Sequence, residues 1–180
     1  MSAPALRPMT AGDADAVAAL HAASWRSAYR GVFTDHYLDH EADTERQTAW
    51  RARLNADAAS ADWGLVAEDP AGHLLGFAWV MPDHDPVWGD YIDNLHVAPD
   101  AKGGGIGRRL MQAVAERLQH DGSTRPLYLW VLDANTAARA FYERLGAEVT
   151  DPQLSIPLGG RQHPVWRCVW RNPRQRLTHA

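Results

Sequence analysis

The chain has one cysteine, Cys168, in 180 residues. No intrachain disulfide can form, which fits a reducing compartment and an expected cytoplasmic location. No apolar run approaches the length of a membrane span, and the opening MSAPALRPMTAGDAD lacks the apolar core of a secretory signal. A basic surplus is also missing. The formal net charge is -4, so the sequence has none of the cationic excess of a nucleic-acid or membrane-surface protein. There is no internal repeat and no low-complexity segment. What remains is an ordinary globular composition, 46% hydrophobic and 22% charged. The expectation is one domain over residues 1–180, with loose tails at about 1–4 and 172–180. Eight tryptophans are many for this length, and composition alone leaves them as core or as groove lining.

Periodicity gives an element order. LRPM is a short candidate strand. Thr10 with Asp13 has the spacing of a capping box, with Asp in place of Glu. Val17, Leu20, His21, Ser24, Trp25 and Ala28 then share one helical face, and Gly31 ends that helix. A second helical region covers about 34–58. Residues 63–69, 73–81 and 88–98 read as strands, the first two joined by Pro70-Ala71-Gly72. In 105–119, Ile106, Leu110, Val114 and Leu118 repeat every four residues, which predicts an amphipathic helix. LYLWVL (127–132) is a continuous apolar run and reads as a buried strand. Asn135 starts a further helix and Gly146 follows its end. AEVTD and PVWRCVWR are the closing strands. This order predicts an α+β or mixed α/β fold, one sheet layer with helices on its faces.

The most unusual stretch is KGGGIG, Lys102 to Gly107, between a strand and a helix. Glycine at the mouth of a helix gives up side-chain packing and backbone entropy. It also lets backbone N–H groups approach a ligand where the helix exposes unpaired donors and the positive end of its dipole. That is an anion site, most often for phosphate. Two common phosphate loops fail on spacing. In G-x-G-x-x-G, counting from Gly103 and Gly105 puts the third glycine at Arg108, and from Gly105 and Gly107 at Leu110. The nucleoside-triphosphate loop needs Gly-Lys-Ser/Thr, but Lys102 precedes the glycines. A plain turn with a glycine N-cap is the other reading of this stretch alone.

Lys102-Gly-Gly-Gly-Ile-Gly107 after a strand, followed by NTAARAFYERLGA from Asn135 to Ala147, resembles the GNAT superfamily of acyl-CoA-dependent N-acyltransferases. The family loop reads Gln/Arg-x-x-Gly-x-Gly/Ala. Gly105 and Gly107 match it, and Lys102 stands where Gln or Arg is usual, keeping the charge without the planar fork. The later helix follows the family's Asn…Ala…Phe-Tyr-x-x-Leu-Gly. The resemblance covers about 63–150, and SWRSAYRG (24–31) resembles the first-helix region of some bacterial members. It implies a mostly antiparallel sheet with a splayed strand pair and acetyl-CoA as co-substrate, with no metal. The pyrophosphate would sit on Gly103, Gly104, Gly105, Ile106 and Gly107, with Lys102 beside it. The pantetheine would run along Leu95 and Val97, with Asn135 at its side and Tyr142 facing the sulfur.

Transfer to an amine needs a neutral nucleophile, a donor for the tetrahedral oxyanion, and a proton for the leaving thiolate. By the resemblance, the backbone N–H of Leu95 is the oxyanion donor and Tyr142 the acid. The strand DYIDNLHV is unusually polar, and the family often places a Glu or His base in the register of Tyr91 or Asp93. Asp93 is the first candidate, acting directly, through water, or by holding the substrate ammonium. His96 is the second, its ordinary pKa near 6.5 suiting a base. Alternation puts Asp93, Leu95 and Val97 on one face and Asn94 and His96 on the other.

The acidic, Trp-bearing stretch PDHDPVWGD (82–90) reads as a loop bordering the acceptor site. Trp88, Asp90 and Asp93, with Trp25 and Tyr29, are the expected acceptor contacts; acid with aromatic suits a cationic amine. Trp79 is either a wall of that site or core. The cluster from Asp35 to Glu41, with His36 and His40 four apart, reads as a solvated face, since no third distant ligand is evident. The expectation is therefore an N-acetyltransferase moving acetyl from acetyl-CoA to a primary amine, on a small molecule or a peptide, by direct transfer in a ternary complex. Monomer and homodimer both fit, without nucleic acid or membrane partners. The alternative is a non-catalytic CoA-binding sensor or scaffold of the same fold.

Overall fold

A computed structural model describes residues 4–56, 60–154 and 162–177. The strands are β1 (Ala5–Pro8), β2 (Trp63–Glu68), β3 (Leu74–Asp85), β4 (Gly89–Val97), β5 (Leu127–Leu132), β6 (Glu148–Val149), β7 (Gln153–Leu154) and β8 (Pro164–Trp170). The helices are α1 (Ala14–Ala28), α2 (Ala42–Leu54), α3 (Ile106–His120), α4 (Thr136–Arg144) and α5 (Pro173–Leu177). This is the mixed α/β fold that the element order predicts, with the mostly antiparallel sheet that the resemblance implies.

The chain forms two compact units, and β3, β4 and α3 each contribute to both. The first unit holds residues 1–79 and 94–110. Its sheet runs β1-β2-β3-β4. Thr10 and Asp13 form the expected box: the Thr10 N–H and hydroxyl both donate to Asp13 Oδ2, at 2.7 and 2.9 Å. Helix α1 buries Val17, Leu20, His21, Ser24 and Trp25, the face read from the sequence. The second helical region opens with a π turn at Tyr37–Glu41 before α2, which ends at Leu54, short of the expected limit. Helices α1 and α2 enclose an aromatic core. Trp50 donates its indole N–H to His21 Nδ1 at 3.0 Å and meets Phe77 edge-on. Gly76 on β3 has no room for a side chain. A Cβ there would lie 2.9 Å from the His96 carbonyl oxygen and 3.2 Å from Ile106. That close approach seats the start of α3 on the sheet.

The second unit holds 80–93 and 111–180. Its strand order is β3-β4-β5-β8-β6, with β7 also on β8. Strand β8 crosses β5 antiparallel from Leu127↔Trp170 to Leu132↔Val165. The parallel ladder of β4 and β5 holds only Asp90↔Leu127 and Tyr91↔Tyr128. Both strands continue beyond those two pairs. Helix α4 is capped by Asn135 and closed by Gly146 at φ +81°, with the Ala147 N–H reaching the Tyr142 carbonyl at 3.0 Å. Residues 82–85, expected as loop, continue β3, and the turn is confined to 86–88. The C-terminal tail is not loose over its described part: α5 buries Leu177 completely. Residues 1–3 and 178–180 of the expected tails lie outside the described residues.

Candidate active site

The glycine loop follows β4 through a short turn at Pro99–Ala101. Lys102 is exposed, in extended backbone. Gly103 and Gly105 take φ of +83° and +77°, with nothing within 4 Å of a Cβ at either. They are glycine for backbone conformation, a reason the sequence reading did not separate from close ligand approach. Gly104 has ordinary φ, Ile106 is buried, and Gly107 lies inside the first turn of α3. The Arg109 N–H bonds to the Gly105 carbonyl at 3.1 Å. The amides of Ile106, Gly107 and Arg108 therefore precede any intrahelical acceptor, as in every helix start. The loop is exposed from Lys102 to Gly105.

On β4, Asp93, Leu95 and Val97 are half-buried. His96 keeps some surface, but its ring is densely surrounded. Its Nδ1 lies 3.0 Å from the Ser24 hydroxyl, and its centroid is 4.3 Å from that of His21 and 5.3 Å from that of Phe77. This desolvation, with Lys102 and Arg46 adding repulsion, pushes its pKa down to about 3. A base that weak captures no proton from an ammonium, so the second candidate is corrected to a neutral core histidine. On α4, Tyr142 is 7% exposed and meets Trp170 edge-on at 5.9 Å. Asn135 accepts the Ala138 N–H on Oδ1 at 3.1 Å, so that oxygen caps the helix.

Several expected acceptor contacts are placed differently. Trp25 is 8% exposed and packs on His21, Phe33 and Tyr37, with the Arg46 guanidinium 4.6 Å above its ring. Trp79 is 6% exposed, beside Trp50. Both are core. Tyr29 is half-buried against Phe33. Asp90 is 1% exposed; its carboxylate accepts the Asp83 N–H at 2.8 Å and the Ser123 hydroxyl at 2.6 Å. It holds the β3–β4 hairpin and is corrected out of the acceptor set. Asp83 pairs with Arg125 at 2.8 Å, and Asp85 accepts the N–H groups of Val87 and Trp88. The carboxylates of 82–90 thus serve the turn itself, which removes the argument for a cationic acceptor.

The second unit also brings together residues the sequence reading passed over. Tyr91 stacks on Tyr128 at 4.9 Å, and His84 Nδ1 lies 2.7 Å from the Tyr128 hydroxyl. Arg167 lies against Trp88 at 4.0 Å and Trp130 at 4.3 Å. The signal was present: a two-residue alternation in LYLWVL puts Tyr128 and Trp130 on one face. Reading the run as uniformly apolar hid it.

A cleft of about 410 Å³ opens between Leu118, Ser123, Arg125, Arg171 and Arg174. Another, of about 650 Å³, lies along His40, Glu41 and Arg46. Of the expected site residues only Asp90 lines either. The Asp35–Glu41 cluster is an ion-pair surface, Arg30 bridging Asp35 and Asp39. Among the described residues no group of His, Cys, Asp and Glu is arranged to hold a metal, and no helix is long and apolar enough to cross a membrane.

A sequence model of the Acetyltransferase (GNAT) family matches residues 19–147. The chain is 40% identical over 100 residues to a mycothiol acetyltransferase of Salinispora arenicola. That match spans 53% of this chain and 32% of the relative, so this chain covers about a third of the relative's length. Among solved structures, a GCN5-related N-acetyltransferase from Rhodopseudomonas palustris superposes with a TM-score of 0.71 at 25% identity, over 94% of this chain and 96% of that one. The PaiA N-acetyltransferase of Thermoplasma acidophilum, solved with coenzyme A, gives 0.69 at 18% identity, over 93% and 98%, a likeness of fold.

Proposed function

The chain belongs to the acetyltransferase (GNAT) family, and on that premise we propose that it moves the acetyl group of acetyl-CoA to a primary amine by direct transfer in a ternary complex. The family match over 19–147 carries this reading, because it takes in the glycine loop and both glycines that fit the family's loop. The left-handed turns at Gly103 and Gly105 support an exposed loop that offers amides to a pyrophosphate.

In the proposed reaction the neutral amine nitrogen attacks the thioester carbonyl carbon. The carbonyl π electrons move to oxygen, where the Leu95 N–H stabilises the oxyanion. When that charge collapses back, the C–S bond breaks and the electron pair leaves on sulfur. Tyr142 gives its proton to the thiolate, and Asp93, directly or through water, takes the proton lost by nitrogen. Lys102 and residues Gly103 to Gly107 hold the pyrophosphate. Leu95, Val97 and Asn135 line the pantetheine, and Tyr29 and Trp88 remain acceptor contacts.

Thiol release from acetyl-CoA over a panel of primary amines tests the proposal, with calorimetric titration of CoA beside it. Amine-dependent release with micromolar CoA binding is the expected result. CoA binding without release to any amine would favour the sensor reading, and no CoA binding would remove both.

A further inference from the structure

Arg167 is the most unusual charge in the second unit. Its β8 position pairs with Trp130 on β5, and Tyr128 lies two residues back on β5, paired in turn with Tyr91 on β4. One face of the sheet therefore carries Tyr91, Tyr128, Trp130 and Arg167 in a row. Trp88, from the β3–β4 turn, also lies against the guanidinium, its ring centroid 4.0 Å from the Arg167 Cζ. Such a pair of indoles favours a cation.

What the pair lacks is an anion. Among the described residues, Arg167 Nε is buried with no hydrogen-bond partner, and no carboxylate forms an ion pair with the guanidinium. Asp85 is the carboxylate whose charge favours the cation, but its Oδ1 accepts the Val87 and Trp88 amides. Elsewhere in the fold Arg7 holds Asp13 and Glu68, and Arg26 holds Asp43. Desolvation works against the charge on Arg167, so the position is costly without a ligand.

We infer that Arg167, held against Trp88 and Trp130, binds a carboxylate on the acceptor, so that the acetylated amine belongs to an amino-carboxylate such as an amino acid. A flat, singly charged group matches the guanidinium fork, and a phosphate dianion would call for further donors. The inference rests on the proposed amine acetylation, and it names the acceptor class for that reaction.

The test has two arms. In the first, thiol release compares amino acids with their amides and with the corresponding amines lacking the carboxyl group. Aminoalkyl phosphates are included. The wild-type enzyme should favour amino acids by at least about tenfold in kcat/KM, the worth of one charge-assisted pair. Arg167→Gln should lose that preference mainly through KM, with CoA affinity unchanged, and Arg167→Lys should restore part of it. In the second arm, calorimetry measures N-acetylglycine and N-acetylphenylalanine against their amides, which needs no turnover. Carboxylate-selective binding without transfer to any amine would uphold the anion site and overturn the reaction. Transfer with no carboxylate preference would overturn the anion site and leave the reaction standing. A preference for phosphate, or loss of CoA affinity in Arg167→Gln, would also overturn it. Should the Arg167 variants fail to fold, the wild-type comparison still decides.

Discussion

Nδ1 of His96 lies 3.0 Å from the Ser24 hydroxyl oxygen, on the side of β4 that faces α1. Two histidines are buried together there, and burial also pushes His21 well below its ordinary pKa. Both are neutral in the fold and protonate near 6.5 when unfolded. Between pH 6.5 and about 3 the unfolded chain therefore binds more protons. For His96 this contribution to stability is complete above 6.5 and fades as pH falls toward 3, at up to roughly 1 kcal/mol per pH unit, and His21 adds in the same direction. The His96 ring resonances should show no titration between pH 5 and 8. A midpoint near 6.5 would restore His96 as a base.

Gly105→Ala tests the loop. At φ +77° with open space around it, the new methyl meets no atom, so the cost comes from the backbone, about 1 kcal/mol. CoA affinity should fall at least several-fold as the loop relaxes. Gly31 is a matched control, with φ +79° and equally open space. Gly31→Ala should lose similar stability in urea and keep CoA affinity. Equal CoA affinity in both variants would show that the left-handed turn at Gly105 is irrelevant to the donor.

Tyr142→Phe separates chemistry from packing. The ring stays edge-on to Trp170 and only the hydroxyl is lost, so thermal stability should change by about 1 kcal/mol or less. Turnover should fall by about tenfold, since a thiolate is already a fair leaving group and the phenol is a weak acid beside it. CoA affinity should hold. Unchanged turnover would mean that water supplies the proton.

Asp93→Asn keeps the size of the side chain and removes the base. The expected result is a fall in kcat that is smaller at high pH, where more amine is already deprotonated, with little change in CoA affinity. A loss confined to acceptor KM would instead make Asp93 an ammonium holder. A pH–rate profile with three amines of different pKa distinguishes the two.

The sequence made the frame legible because periodicity and punctuation are local. Asn135 and Gly146 bracket α4, and Thr10 with Asp13 opens the first helical segment, as their spacing predicts. Side-chain partners across the sheet are not local. The stretch 82–90 read as an acidic loop because its carboxylates are close in sequence, yet Asp90 turns into Ser123 and Asp83 into Arg125, from the far end of α3. Trp25 looked like a groove residue until its neighbours on α1 and at Phe33 and Tyr37 closed around it. Arg167 was invisible for the same reason: its two indoles come from a turn and from another strand.

Asp13 gives an acid-stability signal of a different origin. Arg7 grips its carboxylate with both terminal nitrogens, at 2.8 and 2.9 Å, while the Thr10 N–H donates from the helix start. The Arg7 bonds, and then those from Thr10, outweigh the cost of burial and hold the pKa down to about 2. The folded value is depressed, so this stabilisation is complete above the ordinary carboxylate pKa near 3.9 and is lost as pH falls through about 2. It is worth about 2 kcal/mol at neutral pH. The histidine contribution begins to fade near 6.5, two to three pH units earlier. Asp13→Asn should therefore lower stability at pH 7 by about 2 kcal/mol and leave the slope between pH 6.5 and 4.5 intact. Urea unfolding at pH 7, 5.5 and 4.5 reads both quantities. A flattened slope in Asp13→Asn would assign the acid sensitivity to this carboxylate and not to the buried rings.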